Sequence, residues 1–175
     1  MVQLTSRDRL QPSLLDRLID HEPKQSKESI ESKVLTRQQL RAAVLRDLSW
    51  LFNDTRHEPD PGTDDRESWA LWQSVEFARR SVLNYGMPAF SGLTLSSMDT
   101  HRIEEAVAEA IRNFEPRIDP ETLSVEIKTD AGNHHNSLQL VIRGQMWSQP
   151  VPLELLLSAD VDVETGNTDV RELRA

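Results

Sequence analysis

The sequence predicts an α+β fold in one small domain, with helices first and a three-stranded antiparallel sheet after them. Two observations predict this order. Before residue 115, apolar residues recur at the three- and four-residue spacing of helices. After residue 120, apolar and polar residues alternate in three short segments, which is typical of strands with one buried face. The chain of 175 residues suffices for one such domain with extensions.

A short amphipathic helix is predicted over residues 10–20, where Leu10, Leu14, Leu15 and Leu18 form one stripe. Residues 21–33 are polar and are typical of a flexible linker. A helix of this length is marginal in water by itself, so its leucines need a surface to cover. They either fold back on the chain's own domain or dock into a groove of a partner. We favour the partner, because a polar linker is an inefficient route to the chain's own core.

The predicted organisation is a docking helix and linker over residues 1–35, a folded body over 36–165 and a C-terminal tail over 166–175. Thr36 and Gln39 match the capping box that begins a helix. The helix that follows has a stripe of apolar residues, namely Leu40, Val44, Leu48, Leu51 and Phe52. A loop over 54–67, an irregular helix over 68–83 and a turn rich in glycine and proline come next.

The most regular helix of the body is predicted to be capped by Ser97 or Asp99 and to stop before Pro116. Its apolar positions are Ile103, Val107, Ala110, Ile111 and Phe114. Three strands follow, with alternation over 123–127, 138–142 and 151–157. We expect the end of the chain, TGNTDVRELRA, to be frayed.

Composition argues against several classes of function. The net charge is −9 and no block of lysine and arginine is present, so nucleic acid is an improbable partner. No apolar run reaches about 18 residues, so we expect no membrane insertion and a cytoplasmic location. The chain has no cysteine, which excludes disulfides and zinc sites built on cysteine.

No motif for catalysis or for cofactor binding is recognisable, so we expect no catalytic residue, no cofactor and no metal. His134 and His135 are adjacent in a predicted hairpin loop, and adjacent residues rarely share a metal. Glu115 lies beside Arg117, which would keep it ionised and make it a poor general acid. The residues leave two further classes of function open, a generic peptide-binding adaptor and a peptidoglycan hydrolase.

The segment Glu115-Pro116-Arg117 is the most distinctive local feature, because it places a charge pair around a rigid proline between a helix and a strand. The pair either fixes the angle between helix and strand or continues a charge pattern across an interface. Sequence alone leaves both possibilities open.

Four motifs occur in one order: RLQPSLLDRLID, VLRDLSWLFNDTR, SVLNYGMPAFSG and IRNFEPRI. Together they resemble the E-type baseplate wedge subunits of type VI secretion systems, a family related to the small wedge protein of contractile phage tails. The resemblance covers about residues 9–165. It implies the baseplate wedge (GPW-like) fold and a cytoplasmic baseplate docked at the inner membrane.

The resemblance also implies partners and site residues. The partners would be other wedge subunits and contractile sheath proteins, and the subunit would join the two and help to initiate sheath assembly. Glu115, Pro116 and Arg117 would lie at the junction with the sheath, and the wedge would contact Leu14, Leu15, Arg17 and Leu18. Relatives labelled lysozyme-like would be enzymes by name only, because no suitable pair of acids is present here.

Overall fold

The computed structural model combines α-helices with a four-stranded antiparallel sheet. The structure describes residues 13–18, 35–59, 66–89, 99–128, 137–146 and 152–173. The helices are α1 (Leu14–Leu18), α2 (Arg37–Phe52), α3 (Arg66–Ser74), α4 (Glu76–Arg79) and α5 (Thr100–Phe114). The strands are β1 (Ser124–Lys128), β2 (Ser137–Met146), β3 (Leu153–Asp162) and β4 (Thr168–Glu172).

Helix α2 begins at the predicted capping box. The backbone N–H of Gln39 donates to Oγ1 of Thr36 at 3.2 Å, and the backbone N–H of Thr36 donates to Oε1 of Gln39 at 2.8 Å. The helix buries the whole predicted stripe, namely Leu40, Val44, Leu48, Leu51 and Phe52. The prediction for this helix is therefore confirmed, and α2 packs beside β4.

Helix α5 is confirmed as well. Asp99 caps it by accepting from the backbone N–H of Arg102 at 3.3 Å, and Phe114 is its last residue before Glu115 and Pro116. Its buried residues are Ile103, Val107, Ala108, Ala110 and Ile111. Phe114 itself is half-buried against the same core. The helix packs beside β1, so α2 and α5 lie near opposite edges of the sheet.

The sheet has four strands in the order β1-β2-β3-β4, and each neighbouring pair is antiparallel. The α+β class is as predicted, but the strand count of three and the frayed tail are wrong. Residues Thr168–Glu172 form β4, in which Thr168 and Val170 are buried. Only these two positions carry the buried alternation, so the signal of the strand is too short to separate from a polar tail.

The turn before β4 explains why this segment folds back. Asp162 accepts hydrogen bonds from the backbone N–H groups of Glu164 and Thr165 at 2.8 and 3.2 Å. Gly166 adopts φ +76°, a left-handed conformation that glycine tolerates. The stretch from Asp162 to Gly166 is therefore a hairpin turn, and it returns the chain along β3.

The predicted helix over 68–83 is interrupted in the structure. It divides into α3, α4 and a 3₁₀ turn over Val82–Asn84, because Val75 leaves helical geometry at φ −105° and ψ 64°. The apolar residues of this region do not share one buried face, and Phe77 is 93% exposed. Within the described ranges, no helix combines the length and apolar character needed to cross a bilayer.

Two predicted segments, the linker over 21–33 and the loop with His134 and His135, lie outside the described residues. The division between a docking segment and a body at residue 35 stays a prediction.

The turn that contains Gly86 is tied to the end of α2. The backbone N–H of Met87 donates to the carbonyl of Asp54 at 2.8 Å, and that of Arg56 donates to the carbonyl of Met87 at 2.9 Å. Gly86 lies between these bonds with φ +121°, and a Cβ there would come within 2.7 Å of the Asp54 carbonyl. Only glycine fits this approach of two backbone segments.

We expect Gly86→Ala to lower the free energy of unfolding by more than about 3 kcal/mol, because it adds a backbone clash to an unfavourable φ. Gly166→Ala is the matched control, since its φ is also positive but a Cβ would meet no atom within 4 Å. We expect that variant to cost only about 1 kcal/mol. Urea denaturation of both proteins measures the difference, and equal costs would show that the close approach at Gly86 is unimportant.

Candidate functional site

The junction between α5 and β1 brings Glu115 and Arg117 to the same side of the chain. The backbone N–H of Glu115 still donates to the carbonyl of Ile111 at 2.8 Å, so this residue completes the last helical turn. Pro116 cannot continue the helix, and the N–H of Ile118 turns back to the carbonyl of Glu115 at 3.2 Å. Pro116 is exposed at the outside of this turn.

Arg117 holds both carboxylate oxygens of Glu115. Nε of Arg117 donates to Oε1 at 2.6 Å, Nη2 donates to Oε2, and the backbone N–H of Arg117 also donates to Oε1 at 3.2 Å. The side chain of Glu115 is only 2% exposed. A buried carboxylate requires such compensation, and the paired donors of a guanidinium match its geometry.

Asp47 of α2 extends this pair across the domain. Nη2 of Arg117 lies 2.5 Å from Oδ2 of Asp47, so the α5–β1 junction is tied to the middle of α2. Burial alone would lower the pKa of Arg117, but hydrogen bonds and the negative charges of Glu115 and Asp47 outweigh burial and raise it. Arg117 therefore stays charged at any pH at which the protein folds.

Asp47 also pairs with a second arginine, Arg46, which in turn binds Asp16 of α1. Nη2 of Arg46 lies 2.7 Å from Oδ1 of Asp47, and Nη1 of Arg46 donates to Oδ1 of Asp16 at 2.8 Å. Charges thus alternate in sign from α1 to the α5–β1 junction. We call these five residues the ion chain: Asp16, Arg46, Asp47, Arg117 and Glu115.

Helix α1 contacts the domain through Asp16. Oγ of Ser13 donates to Oδ2 of Asp16 at 2.6 Å, and Arg46 binds the other carboxylate oxygen. Burial would raise the pKa of Asp16, but the hydrogen bond from Ser13 and the charge of Arg46 lower it overall. The leucines point elsewhere: Leu14 is 74% exposed and Leu18 is 73% exposed.

The predicted docking residues are therefore exposed while their helix touches its own domain. Leu15 is partly exposed at 39%, and Arg17 is exposed. The contact with α2 uses a charged residue, and Leu14 and Leu18 stay largely uncovered by the described residues.

The four sequence motifs that follow one another along the chain meet around the ion chain. Asp16 comes from the first motif, Arg46 and Asp47 come from the second, and Glu115 and Arg117 come from the fourth. The third contributes Tyr85, whose ring packs edge-on against Phe114 with centroids 5.1 Å apart. Burial, with the charges of Asp47, Asp54 and Glu115, raises the pKa of Tyr85.

Sequence reasoning missed Asp16, Arg46, Asp47 and Tyr85 as members of the site. Their presence inside the recognised motifs was the only signal, because nothing in the spacing joins Asp47 to a residue 70 positions later. The site has the character of a structural tie, since each of its acids binds an arginine. Among the described residues, no group of three His, Asp or Glu is placed to hold a metal ion.

We expect Arg117→Ala to lower the free energy of unfolding by about 3 kcal/mol, because it leaves the buried carboxylate of Glu115 without its partner. Chemical denaturation monitored by circular dichroism measures this cost. The control is the double variant Arg117→Ala with Glu115→Gln, which removes the stranded charge and should recover part of the loss. An Arg117→Ala protein as stable as the wild type would contradict the tie.

We expect the contact between α1 and α2 to be lost in acid. The ordinary pKa of an aspartate is 3.8 and that of Asp16 in the fold is lower, so the contact is complete above pH 3.8 and is lost as the pH falls through the lower folded value. Amide NMR shifts of Leu14 to Leu18 follow this change. The transition should vanish in Asp16→Asn, and an unchanged transition in that variant would assign it to another group.

A family model described as "Baseplate wedge protein gp25" matches residues 38–151, which is more than half of the chain. The match includes all of α2 except Arg37, together with α5, β1 and β2, and it contains four of the five residues of the ion chain. Searches of the curated proteins and of the solved structures found no match. The chain therefore belongs to the baseplate wedge protein gp25 family, whose members are structural components of baseplates.

Proposed function

We propose that this chain is the E-type wedge subunit of a type VI secretion baseplate, where it joins the wedge to the contractile sheath and helps to initiate sheath assembly. The observation that carries this proposal is the ion chain, because it ties α1 and the α5–β1 junction to one body. The site of action would be the cytoplasmic baseplate docked at the inner membrane.

The wedge-facing element of the proposal is α1. Leu14 and Leu18 are mostly exposed one helical turn apart, and large apolar side chains left open in this way favour a protein contact. A partner groove that buries both would gain several kcal/mol from the apolar area removed from water. Asp16 holds the helix at a defined place on α2, which reduces the ordering that docking requires.

The sheath-facing element of the proposal is the Glu115-Pro116-Arg117 junction with the sheet that it starts. Glu115 is buried, so it supports the contact by holding the angle between α5 and β1. Pro116 is exposed at the turn and is the member best placed to touch a sheath subunit. The four-stranded sheet has two edges, and an edge strand is the usual place where another chain adds a strand.

Catalysis is not part of the proposal. A peptidoglycan hydrolase needs a carboxylic acid that can donate a proton and a second carboxylate at a set distance. Glu115 does not fit the first role, because Arg117 occupies both of its oxygens and its side chain is buried. The geometry favours a role in assembly for this residue.

The test is an affinity pull-down of tagged full-length chain from its native cell, with partners identified by mass spectrometry. We expect wedge and sheath proteins to co-purify with the wild type. The double variant Leu14→Glu with Leu18→Glu should retain about one-tenth or less of the wedge proteins, because two buried leucines become charged. Sheath proteins should be retained better than wedge proteins.

The matched control is Leu71→Glu, which changes a leucine of α3 that is 68% exposed and lies outside α1. We expect the control to recover wedge proteins as the wild type does. A wild-type chain that brings down neither wedge nor sheath proteins would contradict the proposed function. Equal losses in the double variant and in the control would contradict the role of α1.

A further inference from the structure

Asn84 is a buried residue whose side chain uses only its donor end. It is the last residue of the 3₁₀ turn Val82–Asn84 and is 7% exposed. Its Nδ2 donates to the backbone carbonyl of Arg79 at 3.0 Å, whereas its Oδ1 has no hydrogen-bond partner among the described residues. A buried acceptor without a donor is unfavourable, so a donor supplied by another molecule would be stabilised at this oxygen.

Asn53 shows the same side chain with both ends in use. Its Oδ1 accepts from the backbone N–H of Thr168 at 2.9 Å, and its Nδ2 donates to the backbone carbonyl of Thr168 at 2.8 Å. This contact ties the end of α2 to the β4 edge of the sheet, and the chain itself satisfies both ends of the carboxamide. The carboxamide of Asn84 differs, because its acceptor end is buried and unpaired.

Asn84 lines a cavity of about 20 Å³ between its own turn, α5 and the segment that follows α2. A cavity of this volume holds a group of about the size of one water molecule. Arg56 and Glu58 line the same cavity and form an ion pair with each other. Because their charges offset one another, this pair does not by itself select a charged ligand.

Glu109 of α5 supplies a second acceptor, and this one is charged. It lines the cavity and is exposed, and its carboxylate makes no hydrogen bond or ion pair among the described residues. Arg79 also lines the cavity, but its Nη1 donates to Oε1 of Gln73 at 3.2 Å, which holds the guanidinium against α3. The cavity therefore presents two acceptors without donors, one buried and neutral at Asn84 and one exposed and anionic at Glu109.

These acceptors and the small volume specify a compact group that only donates hydrogen bonds. A primary ammonium fits, because it carries three N–H donors on a single atom. A guanidinium distributes its donors over three nitrogens and needs more room, and an anion would meet both acceptors with acceptors of its own. A water molecule would satisfy Oδ1 but would leave the charge of Glu109 unpaired. A metal ion is disfavoured, because the described part of the chain gathers no group of three acids or histidines.

The surface beside the cavity suits a side chain of a protein better than a free ion. Val82 and Leu83 precede Asn84 in the same turn and are 80% and 74% exposed. A lysine carries its ammonium on a four-carbon stem that can lie along apolar surface while the charge reaches a polar site. The net charge of −9 also attracts a basic protein surface from a longer distance.

We propose that the cavity at Asn84 receives a lysine side chain of a partner protein, whose ammonium donates to Oδ1 of Asn84 and to the carboxylate of Glu109. This inference goes beyond the proposed function. The cavity shares no residue with the ion chain or with α1, and the recognition chemistry is the same whichever assembly the chain serves.

Titration of the isotope-labelled full chain with n-butylammonium chloride, followed by NMR, tests the site itself. We expect a saturable shift of the side-chain amide signal of Asn84. Tetramethylammonium chloride at equal ionic strength is the control, because it carries the charge without an N–H donor, and it should give no saturable shift. Equal responses to the two ions, or no saturable response to butylammonium, would overturn the inference.

Variants of the two acceptors extend this titration. Asn84→Ala should weaken butylammonium binding about 10-fold or more, because it removes the buried acceptor. Glu109→Gln should weaken it about 3-fold, as expected for an exposed charge. The matched control is Glu105→Gln, which changes an exposed acid one turn earlier on α5, outside the cavity, and should bind as the wild type does. Thermal melts verify folding, and the Glu109 and Glu105 variants still decide the question if Asn84→Ala does not fold.

Carbodiimide coupling identifies the lysine in the assembled state. The reagent joins a carboxylate to an amine in contact with it, and mass spectrometry of the tagged full chain, purified with its partners from the native cell, maps the bond. We expect Glu109 to be joined to a lysine of another protein and Glu105 to remain uncoupled. The bond should be lost in Glu109→Gln. A bond from Glu109 to a lysine of the chain itself, or no bond at all, would overturn the partner contact.

These outcomes are distinct from those that test the proposed function. A chain that recovers wedge and sheath proteins but neither binds butylammonium nor couples through Glu109 would overturn the lysine site alone. An ordered water on Oδ1 in a crystal of the free chain, together with equal responses to the two ammonium ions, would show that the cavity binds water only.

Discussion

The ion pair between Glu115 and Arg117, extended to Asp47, is the interaction on which the rest of the structure depends. Helix α2 lies beside β4 and helix α5 lies beside β1, so the two helices pack near opposite edges of the sheet. Arg117 joins them where α5 ends and the sheet begins. Because Glu115 is buried, the charge of Arg117 is required within the domain before any partner arrives. The segment Glu115-Pro116-Arg117 thus contributes to the fold of the domain itself.

The sequence predicted the elements whose signals are local. Thr36 and Gln39, three residues apart, form a capping box that marks the start of α2. Pro116 ends α5 just after Phe114, the last residue of its apolar stripe. The irregular region around Val75 was predicted as one helix, because apolar content there resembles a stripe without sharing a face. Strand β4 was missed since only Thr168 and Val170 alternate inward, and its pairing with β3 decides its structure.

Only those parts of the candidate site that lie within one short segment of sequence were predictable. The pair Glu115 and Arg117 and the leucines of α1 are visible in single segments of sequence. The contacts that join these segments run from Asp47 to Arg117 across 70 residues and from Arg46 to Asp16 across 30 residues. Charged residues are abundant on any helix surface, so nothing about Asp47 or Arg46 distinguishes them before the fold is known. The resemblance to a family pointed to these segments without telling how their residues meet.

The contact between Asn53 and Thr168 also has a consequence for the order of folding. It spans 115 residues, whereas each strand of the sheet pairs with its neighbour in sequence. Contacts between distant residues close late, because the entropy of the intervening loop must be lost first. During refolding the β4 edge is therefore bare for a time, and concentrated chains will meet one another there before Asn53 arrives. Dilution during refolding should therefore raise the fraction of the protein that reaches its native fold.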